Sequence, residues 1–273
     1  MTNPTLIVEK LDGTKYDLQK LGIWVIKFEP PSAAYNFATV QVGKYGQRLV
    51  GTTAAQRQIP FQCDVIASND LTIITKRNDF FNIFSSMEPF YITDMRLPTV
   101  RWKVVAEQQP FELYNNWHMG GDISFNLNCI DGYAESIDTT LNIDNLNKWS
   151  IGGMNLPLDK PLKYRFNTSN FEVFNASNID ILAEERPYNI AFSGEANNLT
   201  ITNTTTQQVF ECYQAITASD KFLLYGAWPI LNNKSIYSKT NHAFIDLKKG
   251  WNKFQIDGCN GNFEIAFDTH FYY

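Results

Sequence analysis

The three histidines, His118, His242 and His270, are the first residues to test for acid–base chemistry, because imidazole titrates near neutrality without help from its surroundings. None stands beside a second histidine, a nucleophile or an orienting carboxylate at the spacing that general-base work requires. His118 sits in the loop-like stretch NNWHMGGD, His242 opens an alternating run, and His270 lies on the polar side of the last strand pattern. All three read as solvated loop or edge residues. Paired carboxylates would suit glycoside hydrolysis. Glu184 and Glu185 are adjacent, however, and adjacent side chains on a strand face opposite ways. The four cysteines, Cys63, Cys129, Cys212 and Cys259, form no Cys-x-x-Cys pair and have no histidine at ligand spacing, which argues against zinc and against a disulfide framework. Gly120-Gly121 and Gly152-Gly153 lack the strand–loop–helix setting and the following Lys-Ser/Thr of a phosphate-binding loop. The expectation is a chain that is not an enzyme, with no catalytic residue, no metal and no cofactor.

Tryptophan leaves one binding chemistry open. Trp117, Trp149, Trp228 and Trp251 would each offer a stacking surface for a sugar if exposed on a sheet face. Each would equally anchor a core or a protein interface if covered. Both readings stand at this point.

Charge narrows the partners. Residues 1–135 carry 12 basic and 14 acidic side chains and the remainder 11 and 14, for a net charge of -5. Neither half is basic enough to bind nucleic acid by neutralising phosphates. No apolar run approaches the length of about 18 residues that a membrane helix needs, and the N-terminal stretch MTNPTLIVEKLDG lacks the charged start and apolar centre of a secretion signal. The expectation is a protein made in the cytoplasm that neither enters a membrane nor reads nucleic acid.

The elements that would position these residues are mostly strands. With 44% hydrophobic, 14% aromatic and 19% charged residues, the composition suits pleated surfaces, and 273 residues suggest two domains. RQIPFQCDVIA places Ile59, Phe61, Cys63 and Val65 on one face, and ISFNLNCI does the same for Ile123, Phe125, Leu127 and Cys129. One helix is expected after SND, with Leu71, Ile74, Phe81 and Phe84 as its apolar face. Between Ser136 and Leu158 the patterning dissolves, so 138–158 is expected as a linker or arm. Beyond it, short strand patterns recur with turn signals between them, among them YNIAFSG, NLTITN, HAFIDL and NKFQIDG, as in an antiparallel sandwich or jelly roll. Phe244, Ile245 and Leu247 are expected on a strand that turns at Lys-Lys-Gly-Trp-Asn into its hairpin partner.

The order of these runs resembles the distal tail protein (Dit) family of long, non-contractile-tailed bacteriophages. In the first half the resemblance rests on KRNDFFNIFSSMEPFYITD, RWKVVAE and ISFNLNCIDGYAES. In the second it rests on NLTITNTTTQQVFECYQAI, KFLLYG, TNHAFIDLKKGWNKFQIDG and the aromatic last strand. It implies a mainly β protein with an N-terminal ring-forming domain at 1–137, β-sandwich-like with one helix, and a C-terminal galectin-like sandwich at 138–273. It implies a structural part of the tail tip or baseplate, a homohexameric ring at the distal end of the virion tail. Implied partners are the tail tube protein, the end of the tape-measure protein, the tail-associated lysin or adhesin, and receptor-binding or other baseplate proteins. The alternative is a carbohydrate-binding sandwich that recognises host cell-wall saccharide.

Overall fold

The computed structural model describes residues 5–113, 119–145, 148–149, 152–157 and 159–273. Trp117 and His118 lie outside the described residues. The chain is mainly β and divides into two compact units, Met1–Glu135 and Ser136–Tyr273.

The first unit runs β1 (Leu6–Glu9), β2 (Lys15–Asp17), β3 (Ile23–Phe28), β4 (Tyr35–Val42), β5 (Gly46–Ala54), β6 (Arg57–Ile66), α1 (Asp70–Ile83), β7 (Phe90–Asp94), β8 (Val100–Ala106), β9 (Glu112–Leu113) and β10 (Met119–Cys129). The short β11 (Glu135–Ser136) lies at the boundary. One antiparallel sheet has the order β2-β1-β7-β8-β10-β6-β3. Its two halves are joined only by Leu127↔Ala106 and Asn128↔Val105, and together they enclose one core. The period-2 reading of β6 and β10 holds residue for residue. Ile59, Phe61, Cys63 and Val65 are all buried, and β10 pairs with β6 so that Ile123 faces Cys63, Phe125 faces Phe61 and Leu127 faces Ile59.

Helix α1 starts at Asn69, whose side-chain oxygen accepts the Thr72 backbone N–H at 2.8 Å. Its buried face includes Ile73, Phe80, Ile83 and Phe84; of the expected residues Phe84 is buried, Ile74 is exposed, Phe81 is half-buried and the Leu71 side chain lies outside the described residues. The helical period from Phe84 back through Phe80 to Ile73 selects a stripe one residue away from the one chosen on composition. Phe84 centres an aromatic cluster, with ring centroids 5.2 Å from Phe61, 4.8 Å from Phe80, 5.3 Å from Phe125 and 6.1 Å from Phe90. Lys76 Nζ ties the helix to the sheet by donating to the carbonyls of Leu21 (2.9 Å) and Ile66 (2.8 Å).

The second unit contains β12 (Arg165–Phe166), β13 (Asn170–Asn175), β14 (Tyr188–Asn203), β15 (Gln208–Cys212), β16 (Phe222–Tyr225), β17 (Trp228–Leu231), β18 (Lys234–Ser235) and β19 (Gly250–Thr269). The sheet order is β12-β19-β14-β16-β17-β18, with β13 on β19 and β15 on β14. YNIAFSG and NLTITN, expected as two strands, are the two ends of β14. NKFQIDG and FEIAFDT are likewise the two ends of β19. Both long strands change register between Gly194 and Glu195 and between Ala196 and Thr200 of β14, and so bend from one layer of a sandwich into the other. Gly258 permits the bend: its φ is 81°, and a Cβ there would lie 2.4 Å from the Asn198 carbonyl oxygen. Across the core Phe254 meets Phe267 at 4.8 Å and Phe210 meets Phe222 at 5.9 Å.

One expectation needs correction here. His242–Leu247 is not a hairpin strand: Leu247 makes a single bridge, to Ile181. Its alternation arises because Ile245 and Leu247 are buried while the Asp246 carboxylate between them accepts the Ala183 N–H (2.8 Å) and the Gln208 side-chain amide (2.7 Å). Within 138–158, Thr140 and Trp149 are buried and bonded within the second unit. Thr140 Oγ1 donates to the Phe267 carbonyl (2.6 Å), Trp149 Nε1 donates to the Asn142 carbonyl (3.0 Å), and the Trp149 ring stands edge-on to Phe271.

Candidate functional site

The β4–β5 hairpin stands apart from the rest of the first unit. It forms its own two-stranded sheet, and every residue from Tyr35 to Ala54 is exposed. Its ends are fastened where the Ala55 N–H donates to the Ala34 carbonyl at 2.9 Å. Gly43, with φ 63°, allows the tight tip between Val42 and Gly46. The register sets Tyr35, Phe37 and Leu49 on one face and Ala38, Val40 and Val42 on the other, with Val50 taking up the irregularity opposite Ala38/Thr39. Phe37 is 64% exposed. The only charged side chains in 35–54 are Lys44 and Arg48. A ribbon of two strands with apolar residues on both faces and both edges unpaired is marginal alone in water and is a template for another chain.

The sequence analysis singles out none of these residues. The signal was present as alternation on either side of the Gly43-Lys44 turn, in TVQV and GQRLV. Thr, Gln and Gly between the apolar positions hid it.

The four tryptophans go to different places. Trp149 is buried. Trp251 is half-buried, its ring centroid 4.9 Å from that of Phe174 and 4.1 Å from Lys160 Nζ. Trp228 is 62% exposed. Trp117 lies outside the described residues.

Groups with catalytic potential are occupied by structural bonds. His270 Nδ1 lies 2.8 Å from the Ser136 carbonyl, and the His242 ring stacks on Tyr237 at 4.4 Å. Burial pushes the Cys63 thiol far above its ordinary range and raises Cys259 to about 11, so neither is a thiolate at neutral pH. Among the described residues no group of three or more His, Cys, Asp or Glu could hold a metal ion, and no helix is long and apolar enough to cross a membrane.

Residues 11–129 match the model of a family described as the phage tail protein RIFT-related domain, a span that runs from β2 to β10 and includes the hairpin and α1. Over that span the first unit is similar to this phage tail family. The likeness extends through the second unit. The Dit protein of phage SPP1, described as a paradigm of the hub adsorption apparatus in phages that infect Gram-positive bacteria, superposes with a TM-score of 0.72 at 12% identity. The match covers 99% of this chain and all of that one. A chain of the phage P2 baseplate in its activated, calcium-bound conformation superposes with a TM-score of 0.51 at 9% identity, over 99% of this chain and 98% of that one. No curated protein matches the sequence. The chain therefore shares the fold of SPP1 Dit across both units, as the resemblance in the sequence implies.

Proposed function

We propose that this tail protein is the hub of the tail tip: a homohexameric ring at the distal end of the virion tail, built in the host cytoplasm, whose work is assembly rather than catalysis. In this reading the first units form the ring and the second units project from it. One face seats on the tail tube and the end of the tape-measure protein. The other carries the tail-associated lysin or adhesin and the receptor-binding or other baseplate proteins.

The observation that carries the reading is the β4–β5 hairpin. Its two apolar faces and two open edges are satisfied when it lies against a second copy, and a closed cyclic arrangement gives every copy the same partner without leaving a free edge. The fold shared with SPP1 Dit supports the same assignment.

Light scattering and negative-stain imaging of the concentrated full chain, alone and with its tube protein, test it. Sixfold rings are expected, and a version with 35–54 replaced by a short turn should not form them. A strict monomer under every one of these conditions would overturn the reading.

A further inference from the structure

One sheet face of the second unit carries two cavities that the hub role leaves unused. Across the sheet the register aligns Arg165, Ala266, Ala191, Leu223 and Ile230 in one row. The residues flanking them on each strand, such as Phe267, Ile190 and Phe222, point into the core, so this row faces away from it. The small side chains of Ala266 and Ala191 leave a trough of about 550 Å³, bordered by Glu264, Ser193 and Lys221.

Two residues further along the same face, Tyr225 pairs with Trp228. There a second cavity of about 490 Å³ is walled by Tyr225, Trp228 and Tyr237 and rimmed by Glu184 and Glu185. Like residues on one strand face recur about every 7 Å, so the Tyr225–Trp228 pair stands one such step from Leu223 and Ile230.

The aromatic wall is held open by its surroundings. Gly226, at φ 56°, turns the chain directly before Ala227 and Trp228; its N–H donates to the Tyr188 carbonyl at 2.7 Å, and a Cβ there would lie 2.4 Å from the Ala183 carbonyl oxygen. Trp228 leans on Tyr237 (5.8 Å between centroids, 40° between planes), and Tyr237 stacks flat on His242 (4.4 Å, 6°). Trp228 and Tyr225 nevertheless stay 62% and 51% exposed. Water-facing rings buttressed from behind form a platform.

We propose that this face binds an uncharged saccharide chain, with Trp228 stacking on one sugar and the Arg165–Glu264 pair, four strand spacings or about 19 Å across the sheet, hydrogen-bonding a chain long enough to reach it. Pyranose rings have an apolar C–H face that matches an exposed indole, and hydroxyls that match fixed polar side chains. A quaternary cation is a poorer fit, since the Trp228 and Tyr237 rings lie too close together to receive it between them. A polyanion is disfavoured by charge: the linings include Arg165, Lys221 and Arg186 against Asp220, Glu264, Glu184 and Glu185. Arg165 and Glu264 hold each other at 3.1 Å with both side chains about half exposed, so their remaining hydrogen-bonding capacity points outward.

This proposal does not rest on ring formation, and the two fail separately: a monomer that binds sugar keeps it, and a ring that binds none loses it. The test is saturation-transfer NMR and calorimetry on the full chain with maltotriose, lactose, chitotriose and cellotriose, and with poly(glycerol phosphate) as the anionic polymer. At least one neutral oligosaccharide should bind. Trp228→Ala should weaken that binding by roughly tenfold or more. The melting temperature should not move, because the ring is largely exposed. Tyr225→Ala, tested in parallel, should weaken binding by a smaller factor. The proposal is overturned if no neutral member binds, if binding survives both substitutions unchanged, or if poly(glycerol phosphate) binds more tightly than every neutral sugar.

Discussion

Phe37→Ala tests the hairpin where the geometry is sharpest. A phenylalanine side chain exposes on the order of 200 Å² when free, so the 64% exposure of Phe37 leaves about 130 Å² to be covered by a partner. At about 25 cal/mol per Å² that cover stabilises the contact by about 3 kcal/mol. Alanine retains part of this area, so the expected loss is about 2 kcal/mol, or roughly 30-fold in association. In a closed ring the loss recurs at every interface, and assembly falls more steeply than pairing. Sedimentation velocity over a concentration series reads the association. A thermal melt of the monomer supplies the control: Phe37 contributes little to its own unit, so the melt should stay within about 0.5 kcal/mol of the parent. Unchanged assembly, or a melt that falls in step with assembly, would refute the reasoning.

Three other substitutions probe the units themselves. Phe84→Ala empties the centre of the aromatic cluster and should destabilise the first unit by about 3–5 kcal/mol, read from its urea transition. Trp149→Ala removes both the bond to the Asn142 carbonyl and the edge contact to Phe271, and limited proteolysis should then find new cleavage sites within 138–158. Asp138 is partly desolvated, which alone would raise its pKa, but bonds from Asn142 and the Thr139 N–H outweigh this and hold it below the usual carboxylate value. The unfolded chain therefore takes up this proton first. Its contribution is present above about pH 4 and lost as pH falls below that, so the urea midpoint of the parent should drop more than that of Asp138→Asn between about pH 5 and pH 3.

What the sequence revealed followed strict periodicity. β6 and β10 were legible because each alternates over ten or so residues with one face wholly buried. The helix was legible in place but not in phase, since Ile73 and Ile74 are equally apolar and only packing against the sheet selects between them. The run His242–Leu247 imitated a strand because Asp246, a polar residue between two buried ones, bonds inward to Gln208 and Ala183 rather than to solvent. The bends of β14 and β19 broke two long strands into four apparent ones, because glycine and asparagine at a bend look like a turn. The hairpin is harder to read: its alternation is diluted by Thr, Gln and Gly, and its apolar residues fall on both faces, so no single buried face marks it. Exposure of Trp228 and burial of Trp149 depend on which strand face and which neighbour each ring meets, and composition does not record that.

The pairing of β14 with β19 runs from Tyr188↔Thr269 to Asn203↔Phe254, through both layers of the second unit. Most sandwiches have a seam, a plane along which two sheets part if the core is wetted. Here the same two strands supply rungs on either side of the register shifts, so parting the layers also strains the pair of strands that links them. The second unit is therefore expected to open as one cooperative body rather than sheet by sheet.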